Sequence, residues 1–194
     1  MYFLLSSWKL FLFYLLSTAA LLHLVRVHFR LYNSVSKENI SDTMTGLYNR
    51  KILTPMLESR LQRLTAQGVN VVTMALDCDG LKKINDTWGH NAGDEAIILL
   101  AQAISASIRS SDYGVRLGGD EFFLILIDYP EAEAENIPAR IRQYLAIHDH
   151  QQRVDFSWGA ASLAPEQLLS EAMKAADARL YMNKKQKKSP GIRR

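Results

Sequence analysis

The sequence predicts one α/β domain, a sheet flanked by helices, behind a single membrane-spanning helix. Three observations predict it. An apolar run fills the first 25 residues. From Asp42 onward helical and strand patterns alternate without an internal repeat. Two strand-like runs flank the pair Gly118-Gly119, a hairpin signal. A length of 194 residues suits one domain with a short appendage. With 48% apolar and 22% charged residues the chain is not disordered. The single cysteine, Cys78, excludes an intramolecular disulfide framework and a cysteine-based zinc cluster. The net charge of +3 is unevenly spread: Asn183 to Arg194 hold six Lys/Arg and no acid, which leaves 17 basic against 20 acidic residues elsewhere. A mildly acidic body with a basic tail argues against a nucleic-acid polymer as partner.

Between Leu10 and Val25, 13 of 16 residues are apolar, and extending back to Tyr2 gives 24 residues with one charge, Lys9. As a helix the longer stretch reaches roughly 36 Å, enough for a hydrocarbon layer of about 30 Å. Lys9 lies near one end, where its head can snorkel to the interface. The basic flank Arg26, His28 and Arg30 favours a cytoplasmic C-terminal side, hence a single-pass inner-membrane protein. A cleaved signal peptide would want a basic start and a small-residue cleavage site. Residues 1–7 carry no basic side chain, and Ser17 to Ala20 lie inside the apolar run. The reading is an anchor over 1–31, a polar connector over 32–41, a folded domain over 42–188 and a basic tail over 189–194.

Within the domain, Leu47, Leu53, Leu57, Leu61 and Leu64 form a helical stripe closed by Gly68. The β-branched, apolar run 69–76 predicts a strand buried on both faces that stops at Asp77. Residues 85–94 read as a turn-rich loop opening a helix over 93–108. Strands are expected over 113–117, 121–128 and 154–163. The middle one is central, because Phe122 to Ile127 are apolar at both alternate positions. Helices are expected over 137–146 and, in two pieces, over 166–185.

Two acidic clusters sit at strand ends: Asp77 with Asp79, and Asp120 with Glu121. If their strands are neighbours, Asp77 and Asp120 can share a cation, and magnesium takes one or two carboxylates plus water and phosphate oxygens. The alternative is that such acids are ordinary solvated turn residues. Asp94, near a helix start, can act as a charge favoured by the dipole, or as a carboxylate accepting the N1–H and N2–H of guanine beside an Asn amide. No Walker-type phosphate loop and no Gly-x-Ser-x-Gly elbow is present.

On these residues the chain resembles the GGDEF family of diguanylate cyclases. The naming motif stands intact as Gly118-Gly119-Asp120-Glu121-Phe122. The opening signature is Asp42-Thr43-Met44-Thr45-Gly46-Leu47-Tyr48-Asn49-Arg50. The central block runs from Asp77 through Lys82, Asn85, Asp86, Gly89, His90 and Gly93 to Asp94, and Ala176-Asp177, Leu180-Tyr181 and Lys184 match the late helix. The resemblance implies a palm-like α+β fold related to nucleotidyl cyclases, and two subunits, each holding one GTP, that together make cyclic di-GMP and two pyrophosphates. It implies Mg²⁺, with Mn²⁺ an alternative, held by Asp77, the Cys78 carbonyl and Asp120. Asp120 would also accept the proton, and Lys82 would neutralise phosphate charge in the transition state. Asn85 and Asp94 would read guanine with His90 nearby, and Lys184 and Lys188 would hold terminal phosphates. On a regular strand Glu121 would face away from Asp120, so its role stays open.

The pattern Arg109-Ser110-Ser111-Asp112, with Arg140 further on, resembles the family's product-inhibition site. Departures are Gly80 and Leu81 before the lysine, Trp158 for a small apolar residue, and Lys188 where arginine is usual, with the Gly-Arg-Asn ending missing. Lysine keeps the charge but not the bidentate fork. The leading expectation is a membrane-anchored homodimeric diguanylate cyclase. The alternative is a catalytically weak domain that binds cyclic di-GMP or GTP and signals through protein contacts.

Overall fold

A computed structural model describes residues 2–38, 40–151 and 153–188, with the side chains of 2–7, 29–38, 131 and 188 left out. The chain divides into two units, residues 1–40 and 41–194. The first is one helix, α1 (Tyr2–Glu38), so the polar connector is itself helical as far as Glu38. Within it Trp8–His28 is long and apolar enough to cross a membrane. The hydroxyls of Ser17 and Thr18 donate back to the carbonyls of Tyr14 and Leu15 at 2.9 Å each, so these polar groups are satisfied inside the helix, as a hydrocarbon environment requires.

The second unit is a five-stranded mixed sheet between two helical layers. Its elements are β1 (Tyr48–Asn49), a 3₁₀ turn (Arg50–Ile52), α2 (Pro55–Ala66), β2 (Val71–Asp79), α3 (Leu81–Trp88), α4 (His90–Ser107), β3 (Tyr113–Gly118), β4 (Glu121–Ile127), α5 (Glu131–Ala134), α6 (Ile137–His148), β5 (Asp155–Ser162) and α7 (Leu169–Lys188). The strand order is β1-β3-β4-β2-β5, which puts β4 in the middle. Only β1 is parallel to its neighbour. Even-numbered residues of β2 and β4, such as Met74, Leu76, Phe122 and Leu124, pack with Leu100 and Ile104 of α4 and Ile141 of α6. Odd-numbered ones, Ala75, Phe123 and Ile125, pack with Leu57 and Leu61 of α2 and Ala172 and Ala176 of α7. Both faces of the sheet are therefore buried, which explains the unbroken apolar runs of β2 and β4.

Several boundaries differ from the sequence reading. The helix expected from Leu47 begins only at Pro55, because Thr54 caps it by accepting from the Leu57 amide at 3.2 Å and Pro55 fits the first turn. Leu47 and Leu53 lie outside it, and Tyr48–Asn49 instead pairs with β3. Within the loop expected over 85–94, residues 85–88 belong to α3 and 90–94 to α4. Gly89, at φ 86°, breaks the chain into α4, which starts at His90 rather than Gly93. Asp94 therefore lies one turn inside α4. The final helix is one piece.

Candidate active site

The site forms where β2 ends and β4 begins. These strands are antiparallel neighbours in which Asp77 faces Glu121. One step further, the Cys78 amide donates to the Asp120 carbonyl at 3.1 Å. The two acidic clusters are thus brought together across a single strand pair, although 43 positions apart in sequence. Asp120 itself stands in the β3–β4 turn. There Gly118 (φ 149°) and Gly119 (φ 53°) adopt conformations that a side chain resists, and a bulge shifts the register between Arg116 and Gly118. Glu121 shares Asp77's register position and lines the same cavity of about 250 Å³, together with Asp177, Tyr181 and Lys184 of α7.

Charge is concentrated here. Burial holds the Asp77 carboxyl above its ordinary range. A hydrogen bond from Lys184 pulls the other way, and the charges of Asp120 and Asp79 push it up further. Lys184 Nζ lies 2.6 Å from Asp77 Oδ1. Burial, with Asp120 and Asp77 adding to it, pushes the Cys78 thiol up to about 12, so the side chain stays neutral and packs in the core. Only its carbonyl is left as a donor. Among the described residues no three carboxylate, imidazole or thiol groups converge to cage a metal. The donors are hard oxygens, few in number and carrying excess negative charge. That set fits a hard divalent cation which completes its shell with water and phosphate.

The base-reading candidates come from α3 and α4. Asn85 turns towards Gly93. Its Oδ1 is buried and has no hydrogen-bond partner, and a Cβ built on Gly93 would stand 1.9 Å from that oxygen. A buried acceptor without a donor costs roughly 1–3 kcal/mol, and the missing side chain of Gly93 is what leaves room for this one. His90 and Asp94 are exposed one turn apart on α4, and Lys82 is exposed in the first turn of α3, just past the left-handed Gly80. The side chain of Lys188 lies outside the described residues, as does the 189–194 tail.

Arg109, Asp112 and Arg140 cluster at the opposite end of β4, roughly 20 Å along the strand from Asp120. Asp112 is 6% exposed and fully used within the chain. Its oxygens accept from the amides of Arg109 at 2.7 Å and Ile127 at 3.0 Å and from the Tyr129 hydroxyl at 3.2 Å. Arg109 stacks over the Tyr129 ring at 4.2 Å and pairs with Glu133 at 3.0 Å. Arg140 is close enough for its charge to act on the Tyr129 phenol. Asp112 thus builds the turn that presents Arg109.

The motif reading missed Arg116. It donates to the Gly119 carbonyl at 3.2 and 2.9 Å and pairs with Asp42 at 3.1 Å, joining the domain-opening loop to the turn that carries Asp120. A charged residue in a short strand carries no sequence signal of this. Burial alone would raise the Asp42 carboxyl. The Thr45 hydroxyl and amide and Arg116 outweigh it and hold the carboxyl below its ordinary range. A depressed carboxylate stabilises the fold above its unfolded value and loses that contribution as pH falls through the folded one. We expect Asp42→Asn to cost about 1 kcal/mol at pH 7 and nothing at the acid end. Urea midpoints measured from pH 7 down to about pH 2 check this: the wild-type and variant curves should stay apart down to about pH 4 and close on each other only below it.

A mixed sheet between two helical layers, with acids on the ends of adjacent strands, is a palm-like α+β arrangement. Comparison with known proteins makes that specific. Residues 39–190 match the family described as diguanylate cyclase, GGDEF domain, and the chain belongs to it. It is 54% identical over 189 residues to the probable diguanylate cyclase DgcJ of Escherichia coli K12, covering 97% of this chain and 38% of that one. To the response regulator PleD of Caulobacter vibrioides it is 36% identical, covering 75% of this chain and 34% of that one. The chain thus spans well under half the length of these curated relatives. Among solved structures, a sensory box/GGDEF family protein from Caulobacter crescentus superposes with a TM-score of 0.67 at 28% identity, over 75% of this chain and 98% of that one. The GGDEF domain of DgcB from the same organism, solved in complex with c-di-GMP, gives 0.65 at 25% identity, over 75% and 90%.

Proposed function

We propose that this chain is a diguanylate cyclase, condensing two GTP into cyclic di-GMP and two pyrophosphates. The observation that carries this is the pairing of Asp77 with the Asp120-Glu121 turn across β2 and β4. Asp77, Asp120 and the Cys78 carbonyl would hold Mg²⁺ or Mn²⁺, which when bound polarises the α-phosphate and lowers the pKa of the attacking hydroxyl. The residues do the rest. Asp120 accepts the 3′-hydroxyl proton. Lys82 and Lys184, with Lys188, neutralise charge on the triphosphate. Asn85 and Asp94 read the guanine edge, with His90 at its rim. Since each GTP attacks the other, two copies must face each other, so the active species is a homodimer.

Arg109 and Arg140, set apart from this site, would bind the product cyclic di-GMP and inhibit. Trp8–His28, with Arg26 and His28 in its last turn and Arg30 just beyond, would anchor the chain in the inner membrane with the domain in the cytoplasm.

The test is turnover of GTP with Mg²⁺ by the full chain in detergent. Cyclic di-GMP should form, specific activity should fall on dilution, and Asp120→Ala should lower the rate by at least about 10³-fold. Tight cyclic di-GMP binding without turnover, lost in Arg109→Ala, would instead establish a receptor.

A further inference from the structure

β5 is an edge strand, and α7 runs along its open side. Residues 156, 158 and 160 turn backbone groups away from β2, and α7 meets them with side chains four residues apart. Arg179 donates to the Ala160 carbonyl, Asn183 Oδ1 accepts from the Trp158 amide at 3.4 Å, and Lys187 donates to the Phe156 carbonyl at 2.7 Å. The spacing i, i+4, i+8 keeps all three on one stripe of the helix. Lys187 does more than close the edge. Its ammonium also lies 2.7 Å from Asp79 Oδ2 and 2.8 Å from Asp155 Oδ2. Asp79 in turn accepts from the Ser157 hydroxyl at 2.9 and 2.8 Å. One lysine therefore ties the last turn of α7 to the end of β2, two residues beyond Asp77, and to the start of β5. Lys184, which reaches Asp77, sits one turn earlier on the same helix.

We infer that Lys187 is a positioning residue for the nucleotide site. It clamps the end of α7 so that Lys184 is held against the acidic strand end, where a triphosphate would meet it. The proposal rests on the cyclase reading for the identity of the substrate; Lys187 itself contacts none of the residues assigned to the metal, and reaches Asp77 only through Lys184. A lysine in a basic C-terminal run would otherwise be a solvated charge. Three acceptors within 2.8 Å show that this one is fixed. Lys187 touches no part of the proposed substrate, so its effect must pass through Lys184.

The experiment measures the affinity of the full chain, in detergent with Mg²⁺, for α,β-methylene-GTP, which cannot lose pyrophosphate. Lys187→Met should weaken binding about 5- to 10-fold and Lys187→Arg should restore most of it. In turnover the loss should fall on KM, with kcat kept. The decisive readout is a double-mutant cycle. In a Lys184→Met background, Lys187→Met should add less than 2-fold. Equal binding by wild type and Lys187→Met, or effects that multiply, would overturn the proposal while leaving the cyclase reading intact. Failure of the folded wild type to bind the analogue would overturn both. If Lys187→Met does not fold, Asp155→Asn removes one anchor at an exposed position, and should show a smaller loss with the same dependence on Lys184.

Discussion

Replacing Gly159 by alanine is expected to unfold the domain or lower its melting temperature by about 10 °C. Gly159 lies mid-strand in β5, with ordinary backbone geometry, and local propensity favours alanine there by up to about 1 kcal/mol. Sterics decide the opposite. A Cβ on Gly159 would stand 2.1 Å from the Leu180 amide nitrogen, 2.4 Å from the Ala176 carbonyl oxygen and 2.6 Å from the Arg179 carbonyl carbon. All three are backbone atoms of α7, so none can rotate away. The helix must lift from the sheet, opening the layer in which Ala172, Ala176 and Leu180 pack against Ala75 and Ala161. Overpacking costs typically 1–3 kcal/mol, and a clash with helix backbone lies at or beyond the top of that range. For a chain of this size each kcal/mol shifts the melting point by about 2–4 °C. Thermal melts followed by circular dichroism check it. An unchanged melt would mean that α7 does not rest on β5 as described. Because α7 carries both Lys184 and Lys187, variants that survive in part should also bind nucleotide poorly.

The parts of the fold that were legible are those in which one sequence signal dominates. β2 and β4 could be read because both faces are buried, so the apolar run is continuous, and the glycine pair marks the turn between β3 and β4. The meeting of Asp77 with Asp120 followed once those strands were neighbours. Other parts were set by competing signals. Leu47 and Leu53 continue the spacing of α2 by coincidence, while Thr54 and Pro55 decide where the helix starts. Residues 85–87, Asn-Asp-Thr, look like a turn. They are helical because Leu81 and Ile84, three residues apart, pack against Ala92 and Ala96 of α4, and tertiary burial outweighs their weak propensity. Lys187 was unreadable for a different reason. A lysine run at a chain end signals solvent, and only the path of α7 along β5 shows that one of its ammonium groups meets three acceptors. Arg116 is similar, since its partners Asp42 and Gly119 come from two separate loops.

The second large effect is a loss of function with the fold retained, and it comes from the other crowded glycine. Gly93 is helical, in the first half of α4, and the atoms nearest its missing Cβ belong to the Asn85 side chain: Oδ1 at 1.9 Å, Cγ at 2.9 Å and Nδ2 at 3.3 Å. Unlike the backbone of α7, this is the end of a side chain with two rotatable bonds. Alanine at 93 drives Asn85 into another rotamer, and the backbone of α3 need not move. Alanine is also favoured over glycine inside a helix by about 0.8–1 kcal/mol, and the buried, unpartnered Oδ1 is released from its place. Gly93→Ala should therefore melt at or slightly above the wild-type temperature. If Asn85 reads the base as proposed, Gly93→Ala should bind the GTP analogue at least about 10-fold more weakly. Asn85→Ala supplies the control. It removes the amide without adding bulk, so the two variants should lose similar affinity, and combining them should add little. If Gly93→Ala bound GTP like wild type while Asn85→Ala did not, the glycine would be dispensable to the pocket. If neither variant changed binding, the unpaired oxygen of Asn85 would have no part in recognising the base.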